Sequence, residues 1–248
     1  MLVVGLTGGI ATGKSTVSTL LRAHNIPIID ADVLARQVVL PGTHALQKIV
    51  KHFGQDVLQR DGTLDRAKLG AIVFSDERQR KVLNGIVHPA VRRAMLWDAI
   101  RCWWRGEPLC VLDVPLLIEG GLWRFVATVV VVYCLIYIGM RFSSPEIQLQ
   151  RLMARDSSSR EAAMGRLNAQ LPIGEKVDYA DIVVDNSGSL QDLQGQIESL
   201  IAKLRRRAGW SWRISWLFPP YGLLSALSVL AWKAIRGKKA TPKRTIRP

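Results

Sequence analysis

Residues 5–16 read GLTGGIATGKST, four glycines and one lysine with no acid among them. Within it, Gly8, Gly13, Lys14 and Ser15 satisfy the spacing G-x-x-x-x-G-K-[ST], with Gly9, Ile10, Ala11 and Thr12 between the two glycines. Glycines let a backbone curl until successive N–H groups point inward, and a helix that follows adds the positive end of its dipole. Such a loop holds phosphates with its main chain, so larger side chains would obstruct it. Lys14 is then placed to reach β- and γ-phosphates, Ser15 to offer its hydroxyl to Mg²⁺, and Thr16 to close the binding turn. The flanks fit this reading. Met1–Leu6 is a short apolar run suited to a buried strand, and Val17, Leu20 and Leu21 recur at helical spacing after Lys14. No N-K-x-D segment specifies guanine, which favours ATP over GTP.

The rest of the first 204 residues alternates between strand and helix patterns. Ile26–Ile29 is a second apolar strand ending in Asp30, and residues 31–106 are mostly helical with turn signals at Pro41-Gly42 and Asp61-Gly62. Leu109–Val114 and Val129–Tyr133 read as buried strands, the latter as a central parallel one. Residues 145–156 form a basic amphipathic helix pattern, 160–170 a further helix, 180–184 the last strand and 190–206 a closing helix. Strands alternating with helices imply an α/β protein whose parallel sheet is covered on both faces.

The net charge of +14 suggests nucleic acid until it is located. Residues 205–248 hold eleven Lys and Arg and no acid, which leaves only +3 on residues 1–204. The basicity belongs to a tail, and a nucleic-acid partner is not expected. Within that tail, Ile214–Trp232 is 19 residues without a charge, flanked by tryptophans and basic residues. A helix needs about 20 apolar residues to cross a bilayer, and interfacial Trp with flanking Lys or Arg marks its ends. Pro219 and Pro220 allow either a kinked span or a shallow hairpin in one leaflet, and a docked core helix is the soluble alternative. The first residues have no basic region of a signal peptide. A domain made first and anchored last would stay on the cytosolic side, at the mitochondrial outer membrane, the endoplasmic reticulum or a lipid droplet. Cys102, Cys110 and Cys134 have no paired spacing, so neither a disulfide framework nor a zinc site is expected.

A phosphate loop does not reveal the acceptor. Asp30 and Asp32 follow the second strand, with Arg36 one helical turn beyond. A carboxylate at the end of a neighbouring strand can take a proton from an attacking hydroxyl, whereas Asp is also a common helix cap.

Seven ordered blocks narrow the choice: TGGIATGKST, DADVLARQVV, GTLDRAKLGAIVF, LNGIVHPAVRR, VLDVPLLIE, QLQRLMARD and DIVVDNSG. Together they resemble the dephospho-CoA kinase family over about residues 2–204, in its form with a C-terminal hydrophobic tail. The resemblance implies a three-layer P-loop kinase with a parallel five-stranded sheet. It implies an acceptor-binding helical region over 38–106, a lid over 151–177 and a basic tail over 205–248 that carries the membrane segment. The implied activity is transfer of the γ-phosphoryl group of ATP, with Mg²⁺, to the ribose 3′-hydroxyl of dephospho-CoA. On this basis Asp32 is the general base, and Arg36, His88 and Arg92 grip the acceptor. Asp113 ends a strand and helps hold Mg²⁺ through water, Glu119 lines the acceptor cleft, and Asn186 lies beside the adenine. Arg151 and Arg155, with Arg160 and Arg166, form the lid, and Arg155 joins Lys14 in catalysis. One segment departs from the family pattern: LIYIGMRFS, residues 135–143, stands between the fourth strand and the lid, as a hydrophobic flap or a gene-model product. Another P-loop kinase of nucleosides or nucleotides, and an inactive membrane-tethered CoA-binding scaffold, are the competing readings.

Overall fold

The computed structural model describes residues 1–10, 12–134, 149, 152–153, 159–168, 170–209, 224 and 228. Ala11, the 135–143 segment, Arg151, Arg155 and all of 214–232 except Leu224 and Ser228 lie outside the described residues. The chain divides into two units, one of residues 1–28 with 102–248 and the other of residues 29–101.

The first unit is built on a parallel sheet. Strands β1 (Leu2–Gly8), β2 (Ile28–Asp30), β3 (Leu109–Asp113), β4 (Thr128–Tyr133) and β5 (Ile182–Asp185) lie in the order β2-β3-β1-β4-β5. β1 pairs in parallel with both β3 and β4, and β4 with β5. Every residue of β3 and β4 is buried, which explains why they read as unbroken apolar runs rather than alternating ones. One face of the sheet presents Val4, Leu6, Val111, Val130, Val132 and Val184. They pack against α1 (Lys14–Ala23) and the C-terminal helix α8 (Leu190–Ala208). The opposite face is closed by residues 115–126 and by α7 (Ile173–Asp178), whose elements touch Gly5 and β4.

The spacing of apolar residues decides the closing helix. Leu193, Ile197, Leu200, Ile201 and Leu204 recur at three- and four-residue intervals, and each is buried. Ser189 caps its start: its hydroxyl accepts from the Asp192 N–H, and the Asp192 carboxylate accepts in return from the Ser189 N–H. That exchange holds the Asp192 carboxyl below its ordinary range, chiefly through the hydrogen bond from the Ser189 hydroxyl. Each fully buried Leu or Ile contributes roughly 1.5–3 kcal/mol.

A smaller cluster packs against Ile10 of the phosphate loop. Buried Leu149 and Leu152 pack with Ala163 of α6 (Arg160–Asn168), and with Ile10, Met153 and Met164. α6 ends before the position 170 expected from the pattern.

The second unit is helical: α2 (Ala31–Gln37), α3 (His44–Phe53), α4 (Arg66–Ser75) and most of α5 (Glu77–Trp104). Asp30, Thr43 and Asp65 cap the first three by accepting from backbone N–H groups of the opening turn. Val39, Ile49, Val57 and Leu69 form its core, with Leu83, Ile86 and Val87 against them. The Asp61-Gly62 signal is a tight turn between Leu58 and Leu64, fixed by the Thr63 N–H on Asp61. Among the described residues, no helix is long and apolar enough to cross a membrane.

Ile197 is fully buried and its neighbour Glu198 is exposed. Ile197→Ala should lower unfolding free energy by about 3 kcal/mol, whereas Glu198→Ala should stay within about 0.5 kcal/mol of the parent, both read by urea denaturation.

Candidate active site

β1 runs out at Gly8, and α1 starts at Lys14. Between them the backbone turns sharply. Gly13 adopts a left-handed conformation, φ 83°, and any side chain on it would collide with the Asn186 amide. Gly8 has equally little room, since an added Cβ would lie 2.7 Å from the Val132 carbonyl oxygen and 2.8 Å from Thr12 Oγ1. The glycines therefore serve two ends: an inward-pointing main chain, and close support from behind.

That support comes from both flanks. Buried Thr12 donates from Oγ1 to the Gly9 carbonyl at 2.9 Å. Asn186, at the end of β5, donates from Nδ2 to the Thr12 carbonyl at 3.0 Å, and its own N–H reaches the Tyr133 carbonyl at 2.8 Å. The residue expected beside an adenine thus clamps the back of the loop. Gln196 of α8 braces the same strand end, accepting from the Asp185 N–H at 3.0 Å and donating to the Asp185 carbonyl at 2.8 Å.

Asp113 closes β3, buried, with its side chain on the α1 face of the sheet. Lys14 donates from Nζ to Asp113 Oδ1 and forms an ion pair with it, while the Ser18 hydroxyl donates to Oδ2. A carboxylate at the end of a strand thereby tethers the first turn and a half of the helix. The expected phosphate-binding lysine rests on the expected metal-supporting aspartate. Ser15 and Thr16 remain exposed at the start of α1.

Across the sheet, Glu119 does not stand alone. Its Oε1 lies 2.9 Å from Lys176 Nζ and accepts the Leu171 N–H at 2.9 Å. Lys176 is fully buried. Burial pushes its ammonium below the ordinary lysine range, and the hydrogen bond and charge of Glu119 oppose that shift. No motif reading finds this lysine. Its signal is register: in α7 and the turn after it, Ile173, Lys176 and Ala180 share the inward face, where an apolar residue is expected. Ser18 was missed in the same way, as a small polar residue on the buried stripe of α1 one turn beyond Lys14.

In the helical unit, Asp30 and Asp32 part company. Asp30 caps α2, accepting the N–H groups of Asp32 at 2.9 Å and Val33 at 3.1 Å. Asp32 is exposed in the first turn, and Arg36 is exposed in the last. His88 and Arg92 lie one turn apart on α5, both exposed. A cleft of about 340 Å³ in this unit is lined by Leu40, Gln59, Thr63, Asp65 and Arg66, among others, and not by His88 or Arg92. Of the lid arginines, Arg160 and Arg166 lie on α6. Among the described residues no cluster of three or more His, Cys, Asp or Glu could hold a metal ion.

This arrangement is the phosphate site of an ATP-grasping loop, and comparison with other proteins identifies its lineage. The family model described as dephospho-CoA kinase matches residues 2–192. A dephospho-CoA kinase from Oryza sativa is 42% identical over 214 residues, 86% of this chain and 89% of the relative. One from Anaeromyxobacter dehalogenans is 48% identical over 209 residues, 84% of this chain and 95% of its own. Among solved structures, a Thermus thermophilus protein is 34% identical with a TM-score of 0.65, and Campylobacter jejuni dephospho-CoA kinase is 28% identical with a TM-score of 0.61. Each aligns with 82% of this chain and 97% of its own. The chain belongs to the dephospho-CoA kinase family.

Proposed function

We propose that this chain transfers the γ-phosphoryl group of ATP to the ribose 3′-hydroxyl of dephospho-CoA, giving coenzyme A and ADP. The observation that carries this reading is the loop from Gly8 to Lys14, braced from behind by Asn186 and ending at a lysine held by Asp113, in a chain of this family. In phosphoryl transfer there is little covalent work for a protein. The transition state needs positioning and neutralisation of charge on the transferred group.

The residues divide that work. Loop amides from Gly9 to Lys14 surround the phosphates, with the N-terminus of α1 behind them. Lys14 shifts its ammonium from Asp113 towards the β- and γ-phosphate oxygens, a short move for a flexible side chain. Asp113 keeps Ser18 meanwhile, so the strand end and helix stay joined. Ser15 offers a hydroxyl and Asp113 a carboxylate, oxygen donors of the kind Mg²⁺ prefers. Asp113 would act on the ion through water, its Oδ2 still held by Ser18. Mg²⁺, when bound, neutralises charge on the β- and γ-phosphates. Asp32, exposed and relieved of capping by Asp30, takes the proton from the attacking 3′-hydroxyl. Arg36, His88 and Arg92 bind the acceptor. Arg151, Arg155, Arg160 and Arg166 form a lid that supplies further positive charge and excludes water, the competing acceptor.

The tail completes the proposal. The uncharged, Trp-flanked segment 214–232 between basic residues anchors the chain to the cytosolic face of a membrane.

Lys14→Ala should lower kcat/KM by at least about a hundredfold. Asp32→Asn should lower kcat by about a hundredfold or more. Both are measured by coupled ADP release with dephospho-CoA, alongside a melting curve that shows a folded protein. Turnover near that of the parent in either variant refutes the role assigned. Release of ADP with nucleosides but not with dephospho-CoA would reassign the acceptor. Deleting residues 210–248 should move the protein from the membrane pellet to the supernatant with turnover retained, as read by fractionation and the same assay.

A further inference from the structure

A fully buried lysine is rare unless it is paired, and Lys176 has more around it than a pair requires. Its ammonium lies 2.9 Å from Glu119 Oε1, 3.2 Å from the Pro115 carbonyl, 3.3 Å from the Gly8 carbonyl and 3.4 Å from Gln170 Oε1. These acceptors belong to three places: the last residue of β1, the 115–121 turn that follows β3 and the residues leading from α6 into α7. Glu119 reinforces the last of these through the Leu171 N–H. Lys14 is near enough for its charge to oppose that of Lys176.

Stability alone explains this poorly. Taking a lysine and a glutamate out of water is expensive, and apolar residues of similar volume often serve a fold as well or better. Moreover, Glu119 Oε2 is buried without a hydrogen-bond partner among the described residues. The geometry has a more specific consequence. A trans peptide is planar, so its carbonyl and its N–H point in opposite directions. Fixing the Gly8 carbonyl on Lys176 fixes the Gly8–Gly9 peptide and turns the Gly9 N–H away from Lys176. Gly9 opens the phosphate loop, and no side chain at Gly8 or Gly9 can hold that plane by packing.

We infer that Lys176 is a positioning residue for ATP: by holding the Gly8 carbonyl it presets the first amide of the phosphate loop, and through Gln170 and Glu119 it ties that amide to the segment leaving the lid. This rests on the kinase reading above but concerns the nucleotide and not the acceptor.

The test uses the full-length protein. Lys176→Met alone strands the Glu119 carboxylate, so it is combined with Glu119→Gln, which keeps an acceptor for the Leu171 N–H. ATP binding is titrated calorimetrically without acceptor, and KM for ATP and for dephospho-CoA are measured separately. The double variant should melt within a few degrees of the parent. Its ATP dissociation constant and ATP KM should rise tenfold or more, with the dephospho-CoA KM within twofold of that of Glu119→Gln alone, which serves as the reference for any acceptor contact of that residue. ATP affinity within twofold of the parent overturns the inference, and so does a loss shared equally by both KM values when each is compared with Glu119→Gln alone. If the double variant does not fold, Lys176→Gln with Glu119→Gln is judged by the same limits, since it keeps a polar, uncharged pair too short to reach Gly8. A parent that binds ATP yet leaves dephospho-CoA untouched would sink the acceptor assignment and not this one, because nucleotide binding is read separately.

Discussion

A loop that binds phosphate through its main chain has few side chains with which to hold itself in place, and that constraint organises this molecule. Gly8 and Gly13 are too closely backed by Val132 and Asn186 to carry one. Beyond the Thr12 hydroxyl on the Gly9 carbonyl, rigidity then comes from residues outside the loop. Asn186 takes the Thr12 carbonyl from the β5 side, and Lys176 takes the Gly8 carbonyl from the opposite face of the sheet. Asp113 fixes Lys14 and Ser18 where the loop becomes helix. Carbonyls held on the outside leave amides directed inward, the arrangement an anion requires.

The two buried ionic groups differ in what they are free to do. Asp113 holds a lysine that is partly exposed, with 20% of its side chain accessible, so the pair can open when a stronger anion arrives. Lys176 has no access to solvent and is shared among several acceptors, so it has nowhere to go. One lysine is a moving part and the other a fixed one, although both stand close to the phosphate loop.

The sheet was legible in the sequence because its central strands are buried on both faces, and the continuous apolar runs at 109–112 and 129–133 have no competing helical period. The phosphate loop was legible because its glycines answer a backbone need that few other patterns share. Asp30 and Asp32 stood equal by residue type, the resemblance alone chose Asp32 as the base, and the hydrogen bonds at the start of α2 show that Asp30 caps. Lys176 and Ser18 were hidden for a different reason. Their contacts are with residues 168 and 95 positions away, so nothing local marks them except a polar side chain on an inward face. Glu119 drew an expectation about the acceptor, and its first contact proved to be this unseen lysine. Asn186 drew one about adenine, and its amide serves the loop.

The apolar segment 135–143 raises the question of whether the residues beyond it can keep their register. An insertion inside a helix would rotate every later side chain by about 100° per residue and carry the buried stripe into solvent. Leu149 and Leu152, three residues apart, are nonetheless helical, buried and packed with Ile10 of the phosphate loop and Ala163 of α6. The place of Leu149 and Leu152 is therefore set by their packing with Ile10 and Ala163.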